Sequence, residues 1–385
     1  MTAPVYLDHN ATSPVVSAAR EAMVRALDEA FGNPSSLHGP GQRARRIVDD
    51  ARAEVAVLIG AEPNQVVFTS GGTEADNLAL RGALEAAAPP RRRLVVGAVE
   101  HEAVLNTARA LERAGWPVTV VPVTAEGVVT PEGLSAHLGA DVALVSIMLA
   151  NNETGVLQPV ASLAALAHEA GALFHTDAVQ AVGKVDVDVA ALGVDLLSLT
   201  AHKFGGPKGA GALWIRPGVP MAPVLTGGRQ ERNRRSGTEN VPAIAGFGAA
   251  ASQVAAGVGG PAAVRARRDR LERELLAAVP GAVVNGGGAP RVPNTTNVSF
   301  PGVEAESLLI ALDLEGIAVS TGSACSSGTI EPSHVLRAMG LPASRAQSAV
   351  RFSLAAGTRD EEIDRVLEVL PNVVARLRRA VSPEP

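Results

Sequence analysis

Short apolar runs alternate with amphipathic segments through the first two thirds of the chain, and this alternation constrains the fold more than any other feature. The runs have the length of buried strands. Strands are predicted at Val66–Thr69, Leu94–Ala98, Val118–Val123, Val142–Leu149, Ala172–His175, Asp195–Leu199 and Ala212–Ile215. Helices are predicted at Ser17–Ala30, Gln42–Ile59, Thr73–Glu85, Ala103–Ala114 and Leu163–Ala170. Such alternation is typical of βαβ units, so we predict an α/β fold with a mostly parallel seven-stranded sheet flanked by helices.

The pattern changes after Gly257–Pro261, where an Ala/Gly-rich helix has ended. A chain of 385 residues is long for a single core, which favours two domains. We predict a large domain over residues 15–257 and a smaller α+β domain formed by residues 1–14 and 262–385. The tail, Ser382–Pro385, is expected to be disordered.

Polar residues follow the predicted strands at their carboxyl ends. They are Thr73, His101, Asn152, Asp177, Gln180 and Lys203. Ligands of open α/β sheets bind at this edge. Thr73 follows Gly71 and Gly72 at a predicted helix start, where free N–H groups favour a phosphate. The spacing matches neither a Walker loop nor a dinucleotide motif, and a glycine turn with Thr73 as N-cap is the alternative.

Lys203 lies just beyond a predicted core strand and is followed by a glycine-rich stretch that includes Gly205, Gly206, Gly209 and Gly211. An unpaired buried ammonium is costly, and an imine with a carbonyl compound would keep this lysine neutral. Glycines also allow the backbone to approach a flat cofactor closely. Taken alone, a surface lysine in a glycine-rich turn explains the stretch as well.

A cofactor with a phosphate, an aldehyde and a ring nitrogen would use all of these groups, which points to pyridoxal phosphate (PLP). Its phosphate ligands would be Gly72, Thr73, Thr200 and His202. Lys203 would form the imine, and Asp177 would keep the ring nitrogen protonated so that the ring withdraws electrons. His101 would stack on the ring or transfer protons. Taken singly, a core histidine and a capping aspartate remain alternatives for His101 and Asp177.

Composition excludes several other classes of function. The net charge is −5 and no basic stripe is interleaved with aromatic residues, so we expect no direct nucleic-acid binding. No apolar run has the length of a membrane span and no signal sequence is recognisable, so a cytoplasmic protein without membrane contact is expected. The single cysteine, Cys325, excludes an intramolecular disulfide and a multi-cysteine zinc site.

Eight motifs give the chain a specific resemblance over nearly its whole length. In order they are VYLDHNAT, FTSGGTEADNLAL, EHEAVL, NNETGVLQP, HTDAVQAVGK, LTAHKFGGPKGAGAL, RRSGTEN and STGSACSSGTIEPSHVLRAMG. The chain resembles the cysteine desulfurases, which belong to the class V aminotransferase branch of fold-type I PLP enzymes. Its cysteine-containing motif is similar to that of the branch that supplies sulfur for iron–sulfur clusters and thiolation.

The resemblance implies a role for each matching position. Lys203 would be the Schiff-base lysine and His101 would stack and transfer protons. Asn152, Gln180 and Asp177 would contact the cofactor, Gln180 at the ring hydroxyl, and Asn152 with Arg351 would hold the substrate carboxylate. Thr238 of a second subunit would join the phosphate ligands, which implies a homodimer. Cys325 would be the nucleophile.

The implied reaction removes sulfur from L-cysteine, giving L-alanine and a persulfide on Cys325. The sulfur would pass to an acceptor protein such as an iron–sulfur scaffold, or to tRNA or cofactor thiolation. Small polar neighbours around Cys325 fit a reactive thiol better than a buried structural cysteine. No intrinsic metal is expected, although Cys325 could be a shared iron–sulfur ligand. The alternatives are a selenocysteine lyase, another class V enzyme such as an aminotransferase, or a non-catalytic partner in sulfur transfer.

Overall fold

The computed structural model describes residues 4–257, 260–321 and 332–381. Two features predicted from the sequence, the nucleophile Cys325 and the disordered tail Ser382–Pro385, lie outside the described residues.

The seven predicted strands and five predicted helices are present in the predicted order, together with further elements. The strands are β1 (Val5–Tyr6), β2 (Val66–Thr69), β3 (Arg93–Gly97), β4 (Val118–Val121), β5 (Val142–Ser146), β6 (Leu173–Asp177), β7 (Leu196–Thr200), β8 (Gly211–Ile215), β9 (Val283–Val284), β10 (Thr295–Ser299), β11 (Ile317–Ala318) and β12 (Ala349–Ser353). The helices are α1 (Ser17–Glu29), α2 (Gly39–Leu58), α3 (Gly72–Ala86), α4 (Glu102–Arg113), α5 (Pro131–Ser135), α6 (Val160–Glu169), α7 (Val189–Leu192), α8 (Gln230–Asn233), α9 (Val241–Ala255), α10 (Pro261–Ala278), α11 (Ala305–Leu314), α12 (His334–Ala338), α13 (Ala343–Gln347) and α14 (Asp360–Val381).

A seven-stranded sheet forms the centre of the described structure, in the order β2-β8-β7-β6-β5-β3-β4. Only β8 among these strands runs antiparallel to its neighbours, β2 and β7, while the other pairings are parallel. The prediction of a mostly parallel seven-stranded sheet is therefore confirmed. Because β8 reverses direction, β2 still ends at the same edge as β7.

Both faces of this sheet are covered, which explains why its strands are continuous apolar runs. Leu94 and Val96 of β3 pack in one cluster with Leu80 of α3. Val95 between them faces the other side and packs with Phe174 of β6. Alternate residues of a strand point to opposite faces, so every residue of such a strand needs an apolar partner.

Several predicted boundaries differ from the observed ones by two or three residues, including the start of α6 and the ends of β4 and β6. The structure explains two others. Strand β5 was predicted to continue to Leu149 but ends at Ser146. Ile147 and Leu149 still donate to carbonyls of β6, whereas the Met148 N–H donates to the Glu100 carboxylate at 2.7 Å and not to a strand. Helix α2 was predicted from Gln42 but starts at Gly39. There the His38 ring caps the helix by accepting the Gly41 N–H at 3.3 Å, and capping of this kind satisfies first-turn donors.

The remaining strands form two small sheets, β12-β10-β9 and β1-β11. Val5 and Leu7 of the N-terminal arm pack in one apolar cluster with Leu308, Phe352 and Ile363. We therefore propose the domain division that the sequence predicts, because the arm shares a core with the last third of the chain. Among the described residues, no helix combines the length and apolarity needed to cross a bilayer.

The short α8 is not a regular helix: its residues form a strained turn before α9, which a buried ion pair holds in place. Glu231, Arg232 and Asn233 have φ of 44°, 57° and 62°, a left-handed conformation that costs about 1–2 kcal/mol for each residue with a side chain. The Glu231 carboxylate accepts two bonds from Arg52, at 2.6 and 2.7 Å, and one from the Phe68 N–H at 2.9 Å. These contacts fix Glu231 in place, and with it the turn.

Replacing Glu231 by alanine is expected to lower the free energy of unfolding by about 3–5 kcal/mol, because Arg52 would keep a buried, unpaired charge. The side chains of Arg52 and Glu231 are only 3% and 2% exposed. Urea unfolding of the two proteins measures the difference. As a control, Glu368→Ala removes a carboxylate that pairs with Arg365 but is 72% exposed, and should cost less than about 1 kcal/mol. Equal losses in the two variants would contradict the prediction.

Candidate active site

A cavity of about 270 Å³ lies at the carboxyl edge of the central sheet. Ten of the residues predicted from sequence line it: Gly72, Thr73, His101, Asn152, Asp177, Gln180, Thr200, His202, Lys203 and Arg351. Its wall is completed by Asn10, Ala11, Asp76, Met148, Val179 and Ser320. Thr238 does not line this cavity and is exposed, and Cys325 lies outside the described residues.

The N-terminus of α3 forms one end of the cavity. Its N-cap is Gly71, which offers no side-chain acceptor to the first N–H groups of the helix. A Cβ atom at Gly72 would lie 2.8 Å from Val179 Cγ2, so a side chain there would not fit without a shift. An uncapped helix start beside a cavity suits an anion. The Thr200 hydroxyl donates to the Ala210 carbonyl at 2.9 Å, so it would have to rotate to donate to a phosphate.

Lys203 projects its amine against the N-terminal arm. Its Nζ donates to the carbonyl oxygens of Asn10 at 2.6 Å and Ala11 at 2.8 Å. Burial lowers the pKa of Lys203 to about 8, and the positive charge of Arg351 adds to this effect. The neutral, nucleophilic amine is therefore much more populated near neutral pH than in an ordinary lysine, whose pKa is about 10.4.

Asp177 and His101 lie at the ends of β6 and β3 on the sheet edge. The Asp177 carboxylate is 4% exposed and accepts the Val179 N–H at 2.8 Å. Burial raises the pKa of Asp177, while the nearby His101 and Lys203 oppose the rise. His101 caps α4 by accepting the Ala103 N–H at Nδ1, 3.1 Å away, so the neutral ring carries its proton on Nε2. Burial lowers the pKa of His101, which favours that neutral form.

Arg351 of β12 closes the cavity opposite the sheet. Its Nη2 donates to Asp8 at 2.6 Å and its Nη1 to the Asn152 carbonyl at 3.0 Å. An incoming carboxylate would therefore share the guanidinium with Asp8. The guanidinium still has a free donor for that carboxylate, because Arg351 Nε has no hydrogen-bond partner among the described residues.

Three buried polar atoms on the cavity residues have no partner in the described part of the chain: Asp76 Oδ1, Asn152 Oδ1 and Arg351 Nε. Leaving such atoms unpaired costs about 1–3 kcal/mol each, so they indicate a ligand with both donor and acceptor groups. The cavity also provides an amine, a buried carboxylate and an uncapped helix start. These residues fit a cofactor that carries a phosphate, an aldehyde and a ring nitrogen.

Sequence analysis assigned no role to two polar residues of the cavity wall, Asn10 and Asp76. Asn10 received no role, although it is 1% exposed and bonds groups from both ends of the chain. Asp76 was unassigned although it lies four residues beyond Gly72 on α3, one helical turn away. Residues four apart on a helix lie on the same face, so the position of Asp76 relative to Gly72 could have indicated that it lies near the cavity. For Asn10 the only signal was its position in the motif VYLDHNAT.

Comparison with known proteins agrees with this geometry. The chain matches the family described as "Aminotransferase class-V" over residues 5–366. It is 54% identical to a cysteine desulfurase of Cereibacter sphaeroides, covering 98% of this chain and 97% of that protein. It is 44% identical to "Cysteine desulfurase IscS" of Dictyoglomus turgidum, covering 100% and 97%.

Solved structures give the same result. A "NIFS-LIKE PROTEIN" superposes with a TM-score of 0.89 at 37% identity, covering 97% of this chain and all of that one. A structure described as "SspA in complex with cysteine" has a TM-score of 0.80 at 32% identity, covering 91% and 98%. The chain belongs to the class-V aminotransferase family, whose members of this kind use PLP. Within that family it groups with the cysteine desulfurases, which confirms the resemblance seen in the motifs.

Proposed function

We propose that the chain is a PLP-dependent cysteine desulfurase that converts L-cysteine into L-alanine and leaves a persulfide on Cys325. The observation that carries this proposal is the meeting of three groups in one cavity: the Lys203 amine, the Asp177 carboxylate and the uncapped start of α3. When bound, PLP withdraws electrons from the α-carbon of an amino acid. The residues around it would supply binding, orientation and proton transfer.

Each cavity residue has a proposed task. Gly72, Thr73, Thr200 and His202 would hold the phosphate, with Thr238 of a second subunit. Asp177 would accept the N–H of the ring nitrogen, and its ionised form would be favoured by that contact. His101 would lie against the ring and transfer protons, and Gln180 would donate to the ring hydroxyl. Arg351 and Asn152 would orient the substrate, with the guanidinium bonding its carboxylate.

Lys203 would move the proton at the α-carbon of the substrate, because its lowered pKa leaves a neutral amine available as a base. The thiolate of Cys325 would then attack the substrate sulfur. A sulfur–sulfur bond forms as the carbon–sulfur bond breaks, and the electron pair of that bond remains on the β-carbon, which takes up a proton. The products are L-alanine and a protein persulfide, and no external oxidant is needed.

The test is product analysis with the purified, PLP-loaded protein. We expect equal amounts of alanine and sulfide from L-cysteine when a thiol reductant releases the persulfide. A keto acid that keeps the sulfur, as transamination would give, or no alanine at all, would refute the assignment. A parallel reaction with L-selenocysteine distinguishes a selenocysteine lyase, for which the selenium compound would be strongly preferred.

We further propose a cytoplasmic homodimer that passes sulfur to an acceptor protein such as an iron–sulfur scaffold. Support for the dimer comes from Thr238, which is exposed outside the cavity, and from the exposed side chains of Leu27, Phe31 and Leu37. Sedimentation of the PLP-loaded protein tests the dimer. Transfer of radiolabelled sulfur from the persulfide to a purified scaffold tests the acceptor.

A further inference from the structure

Lysine is rare in this chain. Among 34 basic residues only Lys184, Lys203 and Lys208 are lysines, and the rest are arginines. Arginine and lysine are not interchangeable in a confined site, because only lysine has a compact, rotatable ammonium. A lysine in a chain with so many arginines therefore suggests that the ammonium itself is needed. Lys203 belongs to the cavity, whereas Lys184 lies behind it and has no role in the proposed chemistry.

The Lys184 ammonium bonds two amide side chains that belong to the cavity wall. Its Nζ donates to Asn10 Oδ1 at 2.7 Å and to Gln180 Oε1. A lysine ammonium has three donors and no acceptor, so each amide must present its oxygen to Lys184. The amide nitrogens are thereby turned away from it.

This orientation decides what the two amides offer to the cavity. Gln180 Nε2 donates to the Asn10 carbonyl at 2.9 Å and has a second N–H for a ligand. The same Asn10 carbonyl accepts the Lys203 amine at 2.6 Å. Asn10 Nδ2, in turn, donates to the Asn152 carbonyl at 3.1 Å. A flipped amide at either position would aim an oxygen at a carbonyl and break this set of bonds.

We propose that Lys184 is a positioning residue of the desulfurase: by fixing the amides of Asn10 and Gln180 it holds the carbonyl that receives the Lys203 amine and aims a Gln180 N–H at the cofactor ring. This inference rests on the proposed function. Lys184 itself does not line the cavity, so it acts through these two neighbours.

Burial lowers the pKa of Lys184 well below its usual range, and the positive charges of Lys203 and Arg351 add to this effect. The charged groups that face the Lys203 amine are Arg351 of β12, Asp177 of β6 and Asp8 of the arm, and His101 faces Asp177. Lys184 in turn faces Lys203 and Arg351. Lys184 therefore acts on Lys203 through its hydrogen bonds to Asn10 and Gln180, and not through a fixed positive charge.

The experiment is a pH titration of the visible absorption of the PLP-loaded protein without L-cysteine. Lys184→Met and Lys184→Gln should lower the midpoint of this titration by about one pH unit, because a displaced Asn10 carbonyl no longer accepts the N–H bond that favours a protonated nitrogen at Lys203, and should weaken PLP binding about tenfold. Lys184→Arg keeps a cation but not the compact ammonium, so its midpoint and PLP affinity should move in the same direction as those of Lys184→Met. Lys208→Met, at an exposed lysine, is the control and should change neither quantity.

A wild-type midpoint and PLP affinity in both neutral variants would overturn the inference, as would a wild-type midpoint and PLP affinity in Lys184→Arg. Two neutral variants are used so that a folding defect in one does not decide the result. The titration needs no turnover, so it stays separate from the alanine and sulfide assay that tests the proposed function.

Discussion

Replacing Lys203 by alanine is expected to lower the turnover of L-cysteine at least about a thousandfold, within the range that a positioned acid–base group contributes. The structure gives two reasons. Lys203 provides the only lysine amine on the cavity wall described here, and its lowered pKa of about 8 keeps part of that amine neutral. Steady-state alanine formation measures the loss.

The control is Lys208→Ala, which removes an exposed lysine of the same glycine-rich stretch and should leave turnover unchanged. A second readout is independent of rate: borohydride treatment of the wild type should attach PLP to the peptide that contains Lys203. If the Lys203→Ala protein kept a tenth of the wild-type rate, another base would have to act in the cavity. That result would contradict the proposed role of Lys203.

Replacing Cys325 by alanine is expected to abolish sulfide release, with turnover at least about a hundredfold lower, while the bound cofactor keeps its visible spectrum. A thiolate is the group that accepts sulfur from another thiol, and no other cysteine is present in the chain. Ser320, which lines the cavity, precedes Cys325 by five residues in the sequence.

Ser326→Ala, one residue further on, is the matched control and should retain activity. Alkylation followed by mass spectrometry should detect an additional sulfur on Cys325 of the wild type after a single turnover. A Cys325→Ala protein that still consumed L-cysteine by transamination would favour the aminotransferase alternative instead.

Much of the sheet and of its functional edge could be predicted from the sequence. Strands buried on both faces are uninterrupted apolar runs, so β3, β5 and β7 are visible without a structure. The polar residue that follows each run, such as His101 after β3 and Lys203 after β7, is then placed by topology alone. The end of β5 was missed because the Glu100 carboxylate, far away in sequence, replaces a strand partner at Met148.

Contacts between distant parts of the chain could not be predicted. Asn10 bonds Thr295 Oγ1 at 2.9 Å and Ser353 Oγ at 2.9 Å, across 285 and 343 residues. Nothing in the periodicity of a short arm indicates such partners. The role of Lys184 was missed for the same reason, since its partner Asn10 lies 174 residues earlier.

The partners of Asn10 also set an order of events during synthesis. The carbonyl that receives the Lys203 amine belongs to a residue fixed by Asn294, Thr295 and Ser353, which are synthesised 284, 285 and 343 residues later. A nascent chain that has already completed its central sheet still lacks these anchors. The cavity wall at Asn10 is therefore complete only after β12 has been synthesised and has joined the N-terminal arm.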